Sequence, residues 1–154
     1  MPVDNSALTV VLAGVPKTNY SLYHRVRFLV GDPTALIQLT GTTDDHTMFI
    51  CRDIELQRAA EHARADRVSC PANHPPAAGL SGDRETATAQ ATTQYLVEHA
   101  VKEIMTDRTL PYIFAYHIAQ AGIAIHYSPT LGVMERRAKD EQEIEWLQAA
   151  QKTT

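Results

Sequence analysis

The sequence predicts an α/β domain built on a mixed β-sheet flanked by helices. Three observations carry this expectation. Short β-branched apolar runs alternate with alanine-rich helical stretches. Two of the runs are joined by a polar, Gly-containing loop, the signature of an antiparallel hairpin. Elsewhere a helix separates one run from the next, which is the spacing that parallel pairing needs. The 154 residues, 44% hydrophobic and 21% charged, fit one domain that buries roughly two-thirds of its unfolded surface.

Residues 7–13 (ALTVVLA), closed by Gly14 and Pro16, form a buried run expected at the centre of the sheet. Runs 34–39 and 47–51 flank the loop 41–45 and should pair antiparallel. Asp53 is placed to cap a helix over 54–65 with Leu56, Ala59, Ala60 and Ala63 on its packed stripe, before a short strand returns at 67–71. Residues 71–82 are dense in Pro and Gly, hence a loop. A helix is expected over 83–104, capped by Asp83 or Ser81, with Tyr95, Val97, Ala100, Val101 and Ile104 along one face. Pro111 suits the first turn of a helix over 112–120 that Gly122 ends, and 123–127 is a strand stopped by Pro129.

A formal net charge of −4 argues against nucleic acid or an anionic membrane as partner, since both call for a basic patch. No apolar run approaches the roughly 18 residues of a membrane span, and Met1 to Ser6 lack the charge of a signal peptide, so a cytoplasmic protein is expected. Cys51 and Cys70 read as reduced packing residues rather than a disulfide, and Cys70 lacks the setting of a nucleophile. Asp44, Asp45 and His46 are the nearest approach to a metal-binding run. The remaining histidines, His24, His62, His74, His99, His117 and His126, never fall four apart, and no Cys-x-x-Cys accompanies them, so Asp44 to His46 reads better as a polar turn. No Gly-x-Ser-x-Gly occurs, and Gly14, Gly31 and Gly41 fall outside phosphate-binding spacing. Arg52, Asp53 and Glu55, and likewise Asp83, Arg84 and Glu85, could hold a polar ligand at the carboxyl edge of a strand, although helix starts collect acidic residues for dipole reasons alone. Tyr20, Tyr23 and Phe28, with Tyr112, Phe114 and Tyr116, are equally consistent with core packing and with a subunit contact.

The C-terminal run over 133–154 reads as one helix with Ile144, Leu147 and Ala150 on one face. Its charged side offers four opposite-charge pairs at i,i+4: Glu135 with Lys139, Arg136 with Asp140, Arg137 with Glu141 and Lys139 with Glu143. No Gly, Asn or Pro follows Ala150, so the helix is expected to be cut rather than finished, at a fragment boundary. Within it, Arg136, Lys139, Glu143 and Ile144 form an Arg-x-x-Lys-x-x-x-Glu-Ile segment that resembles the interdomain junction of the pita-bread metallopeptidases: aminopeptidase P, prolidase and creatinase. Gly122-Ile123-Ala124-Ile125 upstream is similar to the end of the family's N-terminal domain. Phe28-Leu29-Val30-Gly31-Asp32 is loosely similar to its Tyr-Leu-Thr-Gly-Phe run and departs from it at three positions.

The resemblance implies a ribonuclease-H-like creatinase/prolidase N-terminal domain over 1–134, and a junction over 135–154 that begins the first helix of a catalytic domain. It implies that this chain is the non-catalytic N-terminal part of an Xaa-Pro aminopeptidase or dipeptidase, shaping the mouth of the active site and contributing subunit contacts. The family's metal pair (manganese, cobalt or zinc) is held by two Asp, one His and two Glu of the catalytic domain. None of those positions exists here, so no catalytic, cofactor or metal residue is assigned to this chain. The implied partners are its own C-terminal catalytic domain, further copies in a homo-oligomer, and proline-containing peptides for the parent enzyme. The alternative is a free-standing binding or dimerisation module that pairs through Ile144, Trp146, Leu147 and Ala150.

Overall fold

The computed structural model of the chain describes residues 8–153. Ala7, the first residue of the first expected strand, and the stretch Met1 to Ser6 lie outside them. Six strands make one sheet: β1 Thr9–Gly14, β2 Thr34–Leu39, β3 His46–Ile50, β4 Arg67–Ser69, β5 Glu103–Thr106 and β6 Ala124–Tyr127, in the order β4-β3-β2-β1-β5-β6. β1 is central, as its unbroken apolar character requires. β1 with β2, and β2 with β3, are antiparallel, while β3 with β4, β1 with β5 and β5 with β6 are parallel. The sheet is therefore mixed, and β2 and β3 form the expected hairpin.

Alternation along the strands sorts side chains to two faces. Val11, Ala13, Ala35, Ile37 and Ile50 face one way and meet Ala89 and Leu96 of α3 (Arg84–Glu98) and Phe114 and Ile118 of α4 (Tyr112–Gln120). Leu12, Leu36 and Phe49 face the other way and meet Leu22 and Val26 of α1 (Tyr20–Val26) and Ala59 of α2 (Leu56–His62). Pairing Val11 with Ile37 and Leu12 with Leu36 fixes this register, because a slip of one residue would turn both apolar sets to the wrong layer. Each fully buried Leu, Ile or Phe contributes about 1.5–3 kcal/mol. Phe28 and Phe49 meet edge to face at 5.8 Å.

Several expectations are corrected. The helix over 83–104 ends at Glu98, where the chain reverses through Ala100 at φ 54. Residues 103–106 are β5, between β1 and β6. Ile104 is buried in the sheet and Val97 is solvent-exposed, so the shared face was not one face: the apolar spacing of the helix ran on by coincidence into a buried strand. Asp83 does cap α3, accepting from the Thr86 N–H at 2.9 Å. The helix over 54–65 is shorter, a 3-10 turn at Asp53–Glu55 followed by α2, and Ala60 faces solvent. Asp53 accepts from the adjacent Ile54 N–H and does not cap α2. Pro111 sits at the N-cap of α4 rather than in its first turn, and α1 was not anticipated.

The C-terminal run is two helices, α5 (Met134–Arg137) and α6 (Glu141–Lys152). Ala138 is extended, and Asp140 caps α6 by accepting from the Glu143 N–H at 2.8 Å. Of the four proposed i,i+4 pairs, Lys139 with Glu143 forms, at 3.6 Å; Glu135 pairs instead with Arg25 at 3.5 Å. At the other end of α6 the Thr153 hydroxyl donates to Ala150 O at 2.9 Å, a capping role that a search for Gly, Asn or Pro misses. No helix among the described residues is long and apolar enough to cross a membrane.

Candidate functional site

The residues of the expected junction gather where α1 meets α5 and α6. The arginine that ends α1, Arg27, takes a left-handed backbone at φ 51, unusual for a side chain with a Cβ. Its side chain is 5% exposed. It donates from Nε to His24 O at 2.7 Å and from its guanidinium to Glu143 Oε1 at 2.7 Å and Asp140 Oδ2 at 3.4 Å, and it lies 5.1 Å from the Trp146 ring centroid. Glu143 also meets His24 Nε2 at 3.0 Å, and Asp140 meets Arg64 at 3.2 Å. One buried guanidinium thus ties the N-terminal turn of α6 to the C-terminal end of α1.

The electrostatics follow. Partial burial pushes the Glu143 carboxyl up, but the hydrogen bonds from Arg27 and His24, with their charges, outweigh it and hold the group below its ordinary range. Asp140 is held low first by the Glu143 backbone N–H, then by Arg64 and Arg27. Gly132, at φ 76 in the loop before α5, lets this loop press on α1: a Cβ there would lie 2.7 Å from Ser21 Oγ.

Arg136, Lys139 and Glu143 line a groove of about 370 Å³ together with Tyr20, Tyr23, Trp146 and Leu147. The fourth residue of the expected junction, Ile144, lies outside it and is 43% exposed. Trp146 and Leu147 are 44% and 52% exposed, and Ala150 is exposed, so α6 keeps a half-exposed apolar strip. The contacts of Arg27, His24 and Arg64 with the start of α6 were not legible, since Glu143 lies 116 positions from Arg27. A signal for the helix break did exist: Asp140 followed three residues later by Glu143 is a capping pattern.

The other candidates resolve differently. Asp45 accepts from Thr42 N–H and Gly41 N–H, Asp44 holds Arg67 at 2.8 Å, and His46 is buried against the Tyr95 hydroxyl, so this run is a structured turn. Among the described residues no three His, Cys, Asp or Glu side chains are placed to hold a metal ion. Cys51 and Cys70 are free and buried, and burial, aided by the Glu55 carboxylate, pushes the Cys51 thiol up to about 12, far from nucleophilic. Phe28 and Phe114 belong to the core, while Tyr20, Tyr112 and Tyr116 are exposed. Arg52, Asp53 and Arg84, from the two charge-dense segments, do converge, on a second cleft beside Asp32. Glu55 is instead paired with Arg58 at 2.8 Å, and Asp83 is spent as a cap.

Solved structures share the fold. The Xaa-Pro dipeptidase from Bacillus anthracis superposes with a TM-score of 0.65 at 16% identity, over 92% of this chain and 34% of that one. The prolidase from Pyrococcus furiosus gives 0.59 at 14%, over 92% and 35%. The aminopeptidase P from Streptococcus thermophilus gives 0.57 at 11%, over 85% and 87%. This chain has the fold of a pita-bread peptidase N-terminal domain. The likeness is one of architecture, since no family model and no curated protein matches the sequence. This N-terminal-domain fold spans about a third of the dipeptidase and prolidase chains.

Proposed function

We propose that this chain serves as the non-catalytic N-terminal domain of a metal-dependent peptidase acting on Xaa-Pro bonds, shaping the mouth of the active site and contributing subunit contacts. The observation that carries the reading is the match of 92% of this chain to 34% of an Xaa-Pro dipeptidase and 35% of a prolidase. The junction supports it. Arg27 fastens α6 at its first turn and leaves Ile144, Trp146 and Leu147 about half exposed, as a helix that passes into a further domain would need. In this reading the Lewis-acid chemistry would come from a metal pair in a catalytic domain, and no step of it is assigned to this chain.

The test is the coding DNA beyond the Thr154 codon. A frame that continues into a domain with two Asp, one His and two Glu in family order is expected, and the protein it encodes should hydrolyse an Xaa-Pro peptide with manganese, cobalt or zinc, whereas the 154-residue chain should not. A stop codon directly after Thr154, or hydrolysis by the 154-residue chain itself, refutes the reading. A second reading, a free-standing module that pairs through α6, is favoured by the same exposed strip, and mass in solution separates the two.

A further inference from the structure

The cleft at the carboxyl ends of the parallel strands β3 and β4 lies away from the junction and has no role in the reading above. Its volume is about 320 Å³, within the roughly 300–1,000 Å³ of small-molecule sites, and crevices beyond strand carboxyl ends are where α/β sheets bind ligands. Its charge comes from Asp32, Arg52, Asp53 and Arg84, and its floor from Cys70 and Ala87. Arg52 and Arg84 flank one carboxylate: Arg52 stands 3.8 Å from Asp32 Oδ2 and Arg84 3.3 Å from Asp32 Oδ1. That shared carboxylate holds the two guanidiniums side by side while using few of their donors. The Arg52 side chain makes no hydrogen bond among the described residues, so its planar fork remains available to a carboxylate. Asp53 spends Oδ1 on the Ile54 N–H at 2.9 Å, and its other oxygen accepts no hydrogen bond among the described residues.

Two guanidiniums and two carboxylates make a cleft with no net charge and two poles. A simple anion would meet Asp53, and a simple cation would meet Arg52 and Arg84; a molecule carrying both charges satisfies both poles. We propose that this cleft binds a zwitterion of amino-acid size, its carboxylate on Arg52 and Arg84, its ammonium on Asp53 and its apolar side chain over Cys70 and Ala87. The site stands whether or not the chain belongs to a peptidase, because none of its residues takes part in the junction.

The test is a titration of the isotope-labelled 154-residue chain, followed by amide resonances, with L-leucine, leucinamide and N-acetyl-leucine. L-leucine is expected to shift the amides of Asp53, Ala72 and Ala87. Leucinamide and N-acetyl-leucine should each bind at least about tenfold more weakly, because each leaves one charged pole without its partner. Arg52→Gln should weaken L-leucine by about tenfold and narrow its advantage over leucinamide, with resonances away from the cleft unchanged as the control for folding. Absence of shifts with L-leucine, shifts confined to other parts of the molecule, leucinamide binding as tightly as L-leucine, or inorganic phosphate binding more tightly than L-leucine would each overturn the proposal.

Discussion

Arg27 concentrates the physics of this chain in one side chain. It accepts a left-handed backbone, which a glycine would adopt freely, and in return reaches Glu143, Asp140 and the Trp146 ring from one buried position. Its partner gives the contact between α1 and α6 a pH dependence. The Glu143 carboxyl is held below its ordinary value in the folded chain, so it binds a proton less readily there than in the unfolded chain. Its contribution to stability is therefore complete above the ordinary carboxylate range and is lost as pH falls into the lowered one. Acidification should loosen α6 before the sheet, and Glu143→Gln should flatten that part of the pH profile; thermal unfolding of both proteins across the acid range measures it. Identical slopes would show that Glu143 carries no such linkage. None of these residues announces its partner in the sequence, because Arg27 is an ordinary helix-end arginine until the fold brings Glu143 to it.

Among the elements, α6 depends on its cap. Asp140 is the residue that turns an apparently continuous helix over 133–154 into two, since its carboxylate is committed to the Glu143 N–H and its own backbone is extended. Asp140→Ala should speed amide exchange at Glu143 and Ile144 several-fold while leaving β1 and β2 unaffected, as read by hydrogen exchange. Equal protection in both proteins would mean that the tie to Arg27 holds the turn without the cap. The same rule of local chemistry was legible for α3, where Asp83 caps as the sequence predicts, and for α4, whose end at Gly122 (φ 78) was anticipated. The extents of β2 and α4 match the runs expected of them. β5 was not legible, because Val101 and Ile104 continue the spacing of Tyr95 and Val97, and periodicity alone does not separate a buried strand from a helix that runs on.

The whole molecule presents two sheet faces covered by helices and one half-exposed apolar strip, on α6. α6 buries no residue of its own, so its apolar side chains gain nothing from the sheet, and their burial requires another surface. If that surface is a second copy, mass in solution should rise with concentration and Leu147→Asp should restore the monomer; a mass that stays monomeric in both proteins leaves the strip for a further domain of the same polypeptide. Light scattering coupled to gel filtration decides between these outcomes.

By itself the sequence determined the α/β class, the central place of β1 and the antiparallel pairing of β2 with β3. Those features rest on apolar periodicity, turn residues and local spacing, which act over a few residues and are written along the chain. Only the tertiary structure decided that β5 is a strand, that Arg27 and His24 receive Glu143, and that Arg52 and Arg84 share a cleft with Asp32 and Asp53. Those contacts join positions tens of residues apart, and they exist because the burial of two apolar faces places the loops, with no local pattern encoding which loops will meet.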